Sequence, residues 1–239
     1  MDRGLYVSMT GAKENTLAQA VLANNLANIN TAGYKKDVLS FKSVLGTAEN
    51  ALGNTDYVDV ASFRTDFSQG GVIHTGNPLD LTIRGDGFFE IETANGTRYT
   101  RQGTFSLDAS NRLVTQNGDP VVGSGGPLTL DGGAIMVGDQ GDISVDGSPA
   151  GTIKIVQFTD PDQLEKAGAS LFRHKGDEGN ITTRADATVA QGFIETSNVD
   201  PVVEMVRMIE ISKAYSSYQK VIQSMDDASK KLISELGRF

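Results

Sequence analysis

The apolar positions of this chain keep two different periods. Near the N-terminus, Leu5, Met9, Ala12, Thr16, Ala20, Ala23 and Ala27 follow a three-to-four spacing, with Leu22, Leu26 and Ile29 in a second row beside them. That spacing predicts an amphipathic helix with a thin stripe of small residues. Toward the C-terminus a heptad runs through Ile211, Tyr218, Met225 and Leu232, with Ala214, Val221, Ala228 and Glu235 at its second position. Tyr215, Ile222 and Leu236 widen the seam, and Val202, Met205, Val206 and Ile209 extend it upstream in a shifted register. Asp200-Pro201 suits the first turn of such a helix. As helices, residues 5–29 span about 38 Å and residues 202–236 about 52 Å.

Between these segments the period is two. "LDLTI" (79–83), Gly85-Asp86-Gly87 and "FFEIE" (88–92) predict a hairpin. "TFSLD" (104–108), "RLVTQ" (112–116) and "DPVVG" (119–123) follow, then "LTLDGGAIMV", "DISVDG" and "GTIKIVQF". Strands so short and so closely spaced predict a small sandwich or barrel. "DPDQLEKAG" (160–168) reads as one helical turn and "ATVAQGFIETS" (187–197) as an exit strand. Residues 37–75 keep neither period and read as an extended arm or hairpin. The predicted class is α+β, with terminal helices paired as a coiled coil, an extended arm and a central all-β domain. The expected divisions are 1–36 for the N-terminal helix, 37–75 for the arm, 76–190 for the β domain and 191–239 for the return strand and C-terminal helix.

Charge and backbone breakers divide the chain in the same way. Residues 1–36 carry a formal +2 and residues 202–239 a formal +1, so the middle holds −12 of a total of −9. All six Pro and 23 of the 27 Gly also lie in the middle. There is no Cys among the 239 residues, which removes disulfides, thiol nucleophiles and thiolate metal sites. No stretch reaches the roughly 18 apolar residues of a membrane span, so no direct membrane insertion is expected. The start lacks the continuous apolar run of a secretory signal, so if the chain leaves the cytoplasm another route carries it.

Candidate chemistry is sparse. Arg84-Gly85-Asp86 has the form of an adhesion tripeptide but is first of all turn chemistry. "GDQGDISVDG" (138–147) lacks the alternation and closing Glu of a calcium loop. His74 and His174 have no carboxylate or second His at ligand spacing, and "GSGG" (123–126) lacks the Lys and following helix of a phosphate loop. Asn95-Gly96-Thr97 and Asn180-Ile181-Thr182 fit a glycosylation pattern of the kind that arises by chance. The acidic balance and missing basic patch argue against nucleic acid. The expectation is therefore no catalytic residue, no metal and no cofactor. What remains is the helices, whose second apolar rows stay uncovered when the two pair, and such exposed seams mark surfaces made for partners. A self-contained two-helix hairpin on the β domain is the plainer alternative.

"NNLANINTAGYKK" (24–36) turns this general reading into a specific one. It resembles the N-terminal motif of bacterial flagellar rod and hook proteins, matching at Asn24, Asn25, Leu26, Ala27, Asn28, Thr31, Gly33, Tyr34 and Lys35, with Tyr34 where Phe is commoner. "QGGVIHTGNPLDLTIRGDGFFEI" (69–91), "YTRQGTFSLDASNRLVTQNGDPVVG" (99–123) and "VEMVRMIEISKAYSSYQKVIQSMDD" (203–227) resemble further segments of that family in the same order. Hook members are much longer, and the stretches "MDRGLYVSMTGA" and "NVDPVVEMVRMIE" are most similar to a proximal-rod member, with the distal rod protein as the nearest competitor.

The resemblance implies a structural subunit of a helical tube in the periplasmic part of the flagellar basal body. By that resemblance its terminal helices would pair as an inner coiled-coil layer and its β domain would face outward. Implied partners are copies of itself, other rod proteins and the flagellar type III export apparatus, which would explain a missing signal peptide. Implied assembly residues are Asn24, Asn25, Leu26, Asn28, Thr31, Gly33, Tyr34 and Lys35 in the motif, and Ile211, Ala214, Tyr215, Tyr218, Val221, Ile222, Met225 and Leu232 on the C-terminal seam. Phe41 to Leu45, "FKSVL", is similar to the element that early substrates present to the export gate. Asn24, Asn25 and Asn28 have two readings: hydrogen bonds to neighbouring subunits that fix register, or caps for their own helix and the next turn. Outside the resemblance stand a secreted β-domain adhesin, which leaves the terminal helices without a purpose, and an enzyme with a carboxylate pair in the β domain, where spacing singles out no pair.

Overall fold

The computed structural model describes residues 2–45, 56–176, 181–183 and 187–236. Among the described residues two α-helices, α1 (Asp2–Ala27) and α2 (Pro201–Leu236), stand before and after a β-rich middle in the sequence, which establishes the α+β class. The strands in chain order are β1 (Asp37–Leu45), β2 (Asp56–Thr65), β3 (Val72–His74), β4 (Leu81–Arg84), β5 (Phe88–Thr93), β6 (Gly96–Thr100), β7 (Phe105–Leu107), β8 (Leu113–Thr115), β9 (Val122–Gly123) and β10 (Gly126–Pro127). They continue as β11 (Ile135–Val137), β12 (Asp142–Val145), β13 (Ser148–Thr152), β14 (Ile155–Phe158), β15 (Leu164–Gly168), β16 (Leu171–His174), β17 (Ile181–Thr183), β18 (Thr188–Gln191) and β19 (Phe193–Glu195). The chain divides into a helical unit (Met1–Ala27, Asp37–Asp66, Asp200–Phe239) and a β unit (Asn28–Lys36, Phe67–Val199).

In the helical unit α1 and α2 run side by side and antiparallel. Gly4 faces Met225 and Gly11 faces Tyr218, a seven-residue step on both helices in opposite directions. The N-terminal end of α2 is capped by Asp200, whose Oδ1 accepts from the amides of Val202 (2.9 Å) and Val203 (3.1 Å). Within residues 37–75, read as arm or hairpin, Asp37–Leu45 and Asp56–Thr65 form the β1–β2 antiparallel pair, with a register shift between Ser40 and Phe41.

In the β unit a six-stranded sheet of order β15-β16-β6-β5-β14-β17 buries both faces. Successive residues of β5 point opposite ways, so Phe89 joins one core with Leu81, Ile91, Phe105 and Leu113, while Phe88 joins another with Tyr99, Phe158 and Phe172. The second core is built from edge-to-face rings, such as Tyr99 on Phe158 at 4.8 Å and Phe88 on Phe158 at 5.6 Å.

Two expectations for the middle are overturned by the structure, and a third, the helical turn at 160–168, is borne out in its first half only. β4 and β5 do not form a hairpin: β4 pairs with β18, whereas β5 pairs with β6 and β14. Gly85 does take positive φ (91°), but the turn changes sheet instead of reversing within one. Arg101 holds this corner, donating from Nη2 to the Gly85 carbonyl (2.7 Å) and from Nη1 to that of Ile83 (3.2 Å). Residues 160–168 are helical only as the 3-10 turn Pro161–Gln163, capped by Asp160, before Leu164 starts β15. The exit strand is two strands, because Gly192 (φ 79°) breaks it between β18 and β19, which join different sheets.

Candidate assembly site

The helix seam is built from small residues on one side and large ones on the other. A Cβ on Gly11 would stand 2.6 Å from Tyr218 Cζ, and one on Gly4 would stand 2.5 Å from Met225 Cε. Bare backbone at these two positions lets bulky side chains of α2 lie against α1. The seven-residue step continues on α1 through Ala18 and Asn25, both buried, and on α2 through half-buried Ile211 to buried Glu204. The packing line of α1 is therefore not the expected Leu5–Ala27 stripe. Met9, Thr16, Ala20, Ala23 and Ala27 are exposed, and the buried positions are Ser8, Glu14, Ala18, Leu22 and Asn25. Hydropathy ranks Gly and Ser low, although size is what governs close helix approach.

On α2 the expected line Ile211, Tyr218, Met225 is half-buried, as are Ala214, Tyr215 and Ile222. Val221 and Leu232 are exposed, at 42% and 44%. The second row of the seam is Tyr215, Ile222 and Ser229, one residue on from Ala214, Val221 and Ala228. The first turns of α2 carry their apolar side chains outward. Val202, Met205, Val206 and Ile209, spaced along one face, are exposed, while Glu204 is buried. Phe41 and Leu45 fall on β1, and their side chains lie outside the described residues.

The asparagine motif is split between the units. Asn25 is buried and clamps the start of β1: its Nδ2 donates to the Asp37 carbonyl and its Oδ1 accepts from the Asp37 amide, both at 2.9 Å. Asn24 is exposed and Leu26 half-buried. From Asn28 the chain belongs to the β unit. Asn28 receives the Thr31 amide on its carbonyl (3.1 Å) and the Thr31 hydroxyl on its side chain (3.2 Å). Gly33 has φ 66°, and its amide donates to the Glu195 carbonyl at 2.8 Å. Tyr34 is buried with the Lys166 ammonium 4.2 Å above its ring.

Lys35 is the most unusual member of the motif. It is a lysine at 1% exposure, and Lys seldom becomes fully buried unless paired. Its Nζ donates to Glu195 Oε1 at 2.5 Å and to the Ser68 carbonyl at 2.7 Å. Glu195 Oε1 also accepts from the Gly70 amide at 3.0 Å, and Glu195 Oε2 lies 3.5 Å from Arg101 Nη1. Arg101 lies with its guanidinium 5.3 Å from the Phe88 ring centre. Burial lowers the Arg101 pKa from its ordinary value, and the carboxylates of Glu195 and then Asp86 pull it back up. Asn198 completes the group: its Oδ1 takes the Lys36 amide at 2.8 Å, and its Nδ2 donates to the Ser68 carbonyl at 3.2 Å. Glu195, Arg101, Ser68 and Asn198 were not among the expected site residues. The one signal in the sequence was a motif lysine following a Gly-aromatic pair.

Three family models match in chain order. The flagella basal body rod protein model matches residues 5–35, the FlgE/F/G hook-protein D1 domain model residues 82–155, and the FlgEFG basal body rod C-terminal model residues 190–235. Among curated relatives, the flagellar basal-body rod protein FlgF of Caulobacter vibrioides is 34% identical over the whole of both chains. FlgF of Escherichia coli is 32% identical over 95% of both, and FlgG of Bacillus subtilis is 32% identical over 98% of this chain and 99% of its own. The chain belongs to the flagellar basal-body rod protein family, close to its FlgF members, and is a structural component of the basal body and of motility rather than an enzyme.

Proposed function

We propose that this chain is a subunit of the proximal rod, polymerising through its terminal helices into the tubular shaft that joins the basal body to the distal rod and hook. In this reading α1 and α2 act as a coiled coil in the inner layer, and the subunit reaches the periplasm through the flagellar export apparatus. The observation that carries the reading is the inverted start of α2, where Val202, Met205, Val206 and Ile209 face outward and Glu204 faces in. An apolar stripe on one helix face needs a cover, and neighbouring subunits with the same terminal helices supply one. Because FlgG of Bacillus subtilis matches over almost the same length, a distal position is the second reading.

The test is complementation. A strain lacking this chain does not swim, and the unaltered gene restores it. Serine at both Val202 and Val206 leaves the soluble protein folded but fails to restore swimming. Swimming without the chain, or full rescue by the double-serine variant, sinks the proposal. Tomograms of the deletion strain separate the two positions. Loss of a proximal subunit leaves at most a stub, whereas loss of a distal subunit leaves a proximal section without its extension.

A further inference from the structure

We infer that Lys35, Glu195 and Arg101 are positioning residues, a buried hub that fixes where the chain enters and leaves the β unit, and that their role is geometric rather than stabilising. The inference rests on the rod reading for its consequence in the cell, but the hub itself is a property of the β unit alone.

The chain passes between the two units four times: after Ala27, Lys36, Asp66 and Val199. On the β unit every crossing segment is tied to one place. Asn28 and Thr31 form the turn that leads to Gly33, and Gly33 is bonded to Glu195. Lys35 and Lys36, just before the second crossing, reach Ser68 and Asn198. Ser68 and Gly70, just after the third, bond Lys35 and Glu195. Glu195 and Asn198 stand just before the fourth. Residues far apart in sequence are thus held by directional bonds between the ends of crossing segments, and Arg101 ties Glu195 to the corner after β4 through the Ile83 and Gly85 carbonyls.

Stability does not explain this arrangement. Taking three charges out of water is costly, and apolar side chains of similar volume commonly do as well or better. The hub is also incompletely satisfied: Glu195 Oε2 and Arg101 Nε have no hydrogen-bond partner. The two apolar cores of the β unit are assembled from other residues. A hydrogen-bonded charge has one lowest-energy position, whereas an apolar contact is non-directional and tolerates sliding. The hub supplies direction where the cores supply cohesion.

The experiment uses the full chain with Lys35→Met, Arg101→Met and Glu195→Leu combined, beside Asn198→Ala, which removes a tie without touching a buried charge. Thermal unfolding, amide exchange and rescue of swimming are read on each. The expected result for the triple variant is a Tm no lower than the parent, with core strands protected. Amides of 33–36, 68–71 and 195–198 lose about tenfold protection or more, and swimming is lost. Asn198→Ala keeps its Tm and swims less. A triple variant that unfolds well below the parent, or that keeps parental protection at the crossings, overturns the inference. So does full swimming by either variant despite lost protection. If a strain lacking the chain swims, the rod reading falls, while the exchange and melting results still decide whether the hub orders the crossings.

Discussion

Gly33→Ala separates two penalties that glycine positions usually confound. The first is conformational: Gly33 sits at φ 66°, where an L side chain costs about 1–2 kcal/mol. The second is steric. A Cβ there would stand 2.5 Å from the Arg101 carbonyl carbon and 2.6 Å from Gln102 Cα, both backbone atoms. Arg101 is anchored through Ile83 and Gly85, so that backbone does not give way cheaply, and overpacking of this kind costs about 1–3 kcal/mol. The sum is about 2–5 kcal/mol. Gly118 supplies the reference, because its φ is 87° with nothing within 4 Å of an added Cβ. Gly118→Ala therefore carries only the conformational share. Urea unfolding of the β unit, followed by the near-ultraviolet signal of its tyrosines, reads both. With a slope of about 2 kcal/mol per molar urea, Gly118→Ala lowers the midpoint by about 0.5–1 M and Gly33→Ala by about 1–2.5 M. Equal shifts for the two would refute the steric argument and the docking of the motif onto Arg101–Gln102.

The helix seam gives a second contrast: Gly4→Ala meets only the mobile end of Met225, so it stabilises the helical unit by up to about 1 kcal/mol through propensity, whereas Gly11→Ala meets the Tyr218 ring and destabilises it by about 1 kcal/mol or more. Calorimetry on the purified chain distinguishes the signs. Phe89→Ala empties a fully buried position packed at 5.2 Å on Phe105 and costs the β unit about 3–5 kcal/mol by urea unfolding. Asp108 titrates below the ordinary aspartate range because its carboxylate accepts the Arg112 amide, with Arg112's side chain and the Ser110 amide adding to the shift. The stabilisation of the 108–112 turn is thus complete above the ordinary Asp pKa of about 3.9 and is lost as pH falls through the lowered value. A carboxyl resonance titrating at or above the ordinary value contradicts this.

The parts of the fold legible in the sequence were those set by period. The two helices and the β middle followed from spacings of 3.6 and 2, and the C-terminal line Ile211, Tyr218, Met225 lies on the seam. Period cannot say which strands become neighbours. Gly85-Asp86-Gly87 carries hairpin chemistry, yet β4 and β5 enter different sheets, because pairing was decided by β18, about a hundred residues downstream. The α1 face was misplaced for a different reason. Its packing line includes Gly4, Gly11, Ala18 and Asn25, a heptad in which apolar bulk is absent, so a hydropathy stripe was drawn through the wrong face. The asparagines show the same limit. Within the chain Asn25 clamps Asp37 and Asn28 closes a turn with Thr31, so these two carry bonds whatever they do in an assembly. The buried charges were the least legible, since a lysine reads as surface until its carboxylate is known. Glu195, the carboxylate paired with Lys35, lies 160 residues away. The side chains that hold the crossing segments together were thus the ones that local pattern could not connect.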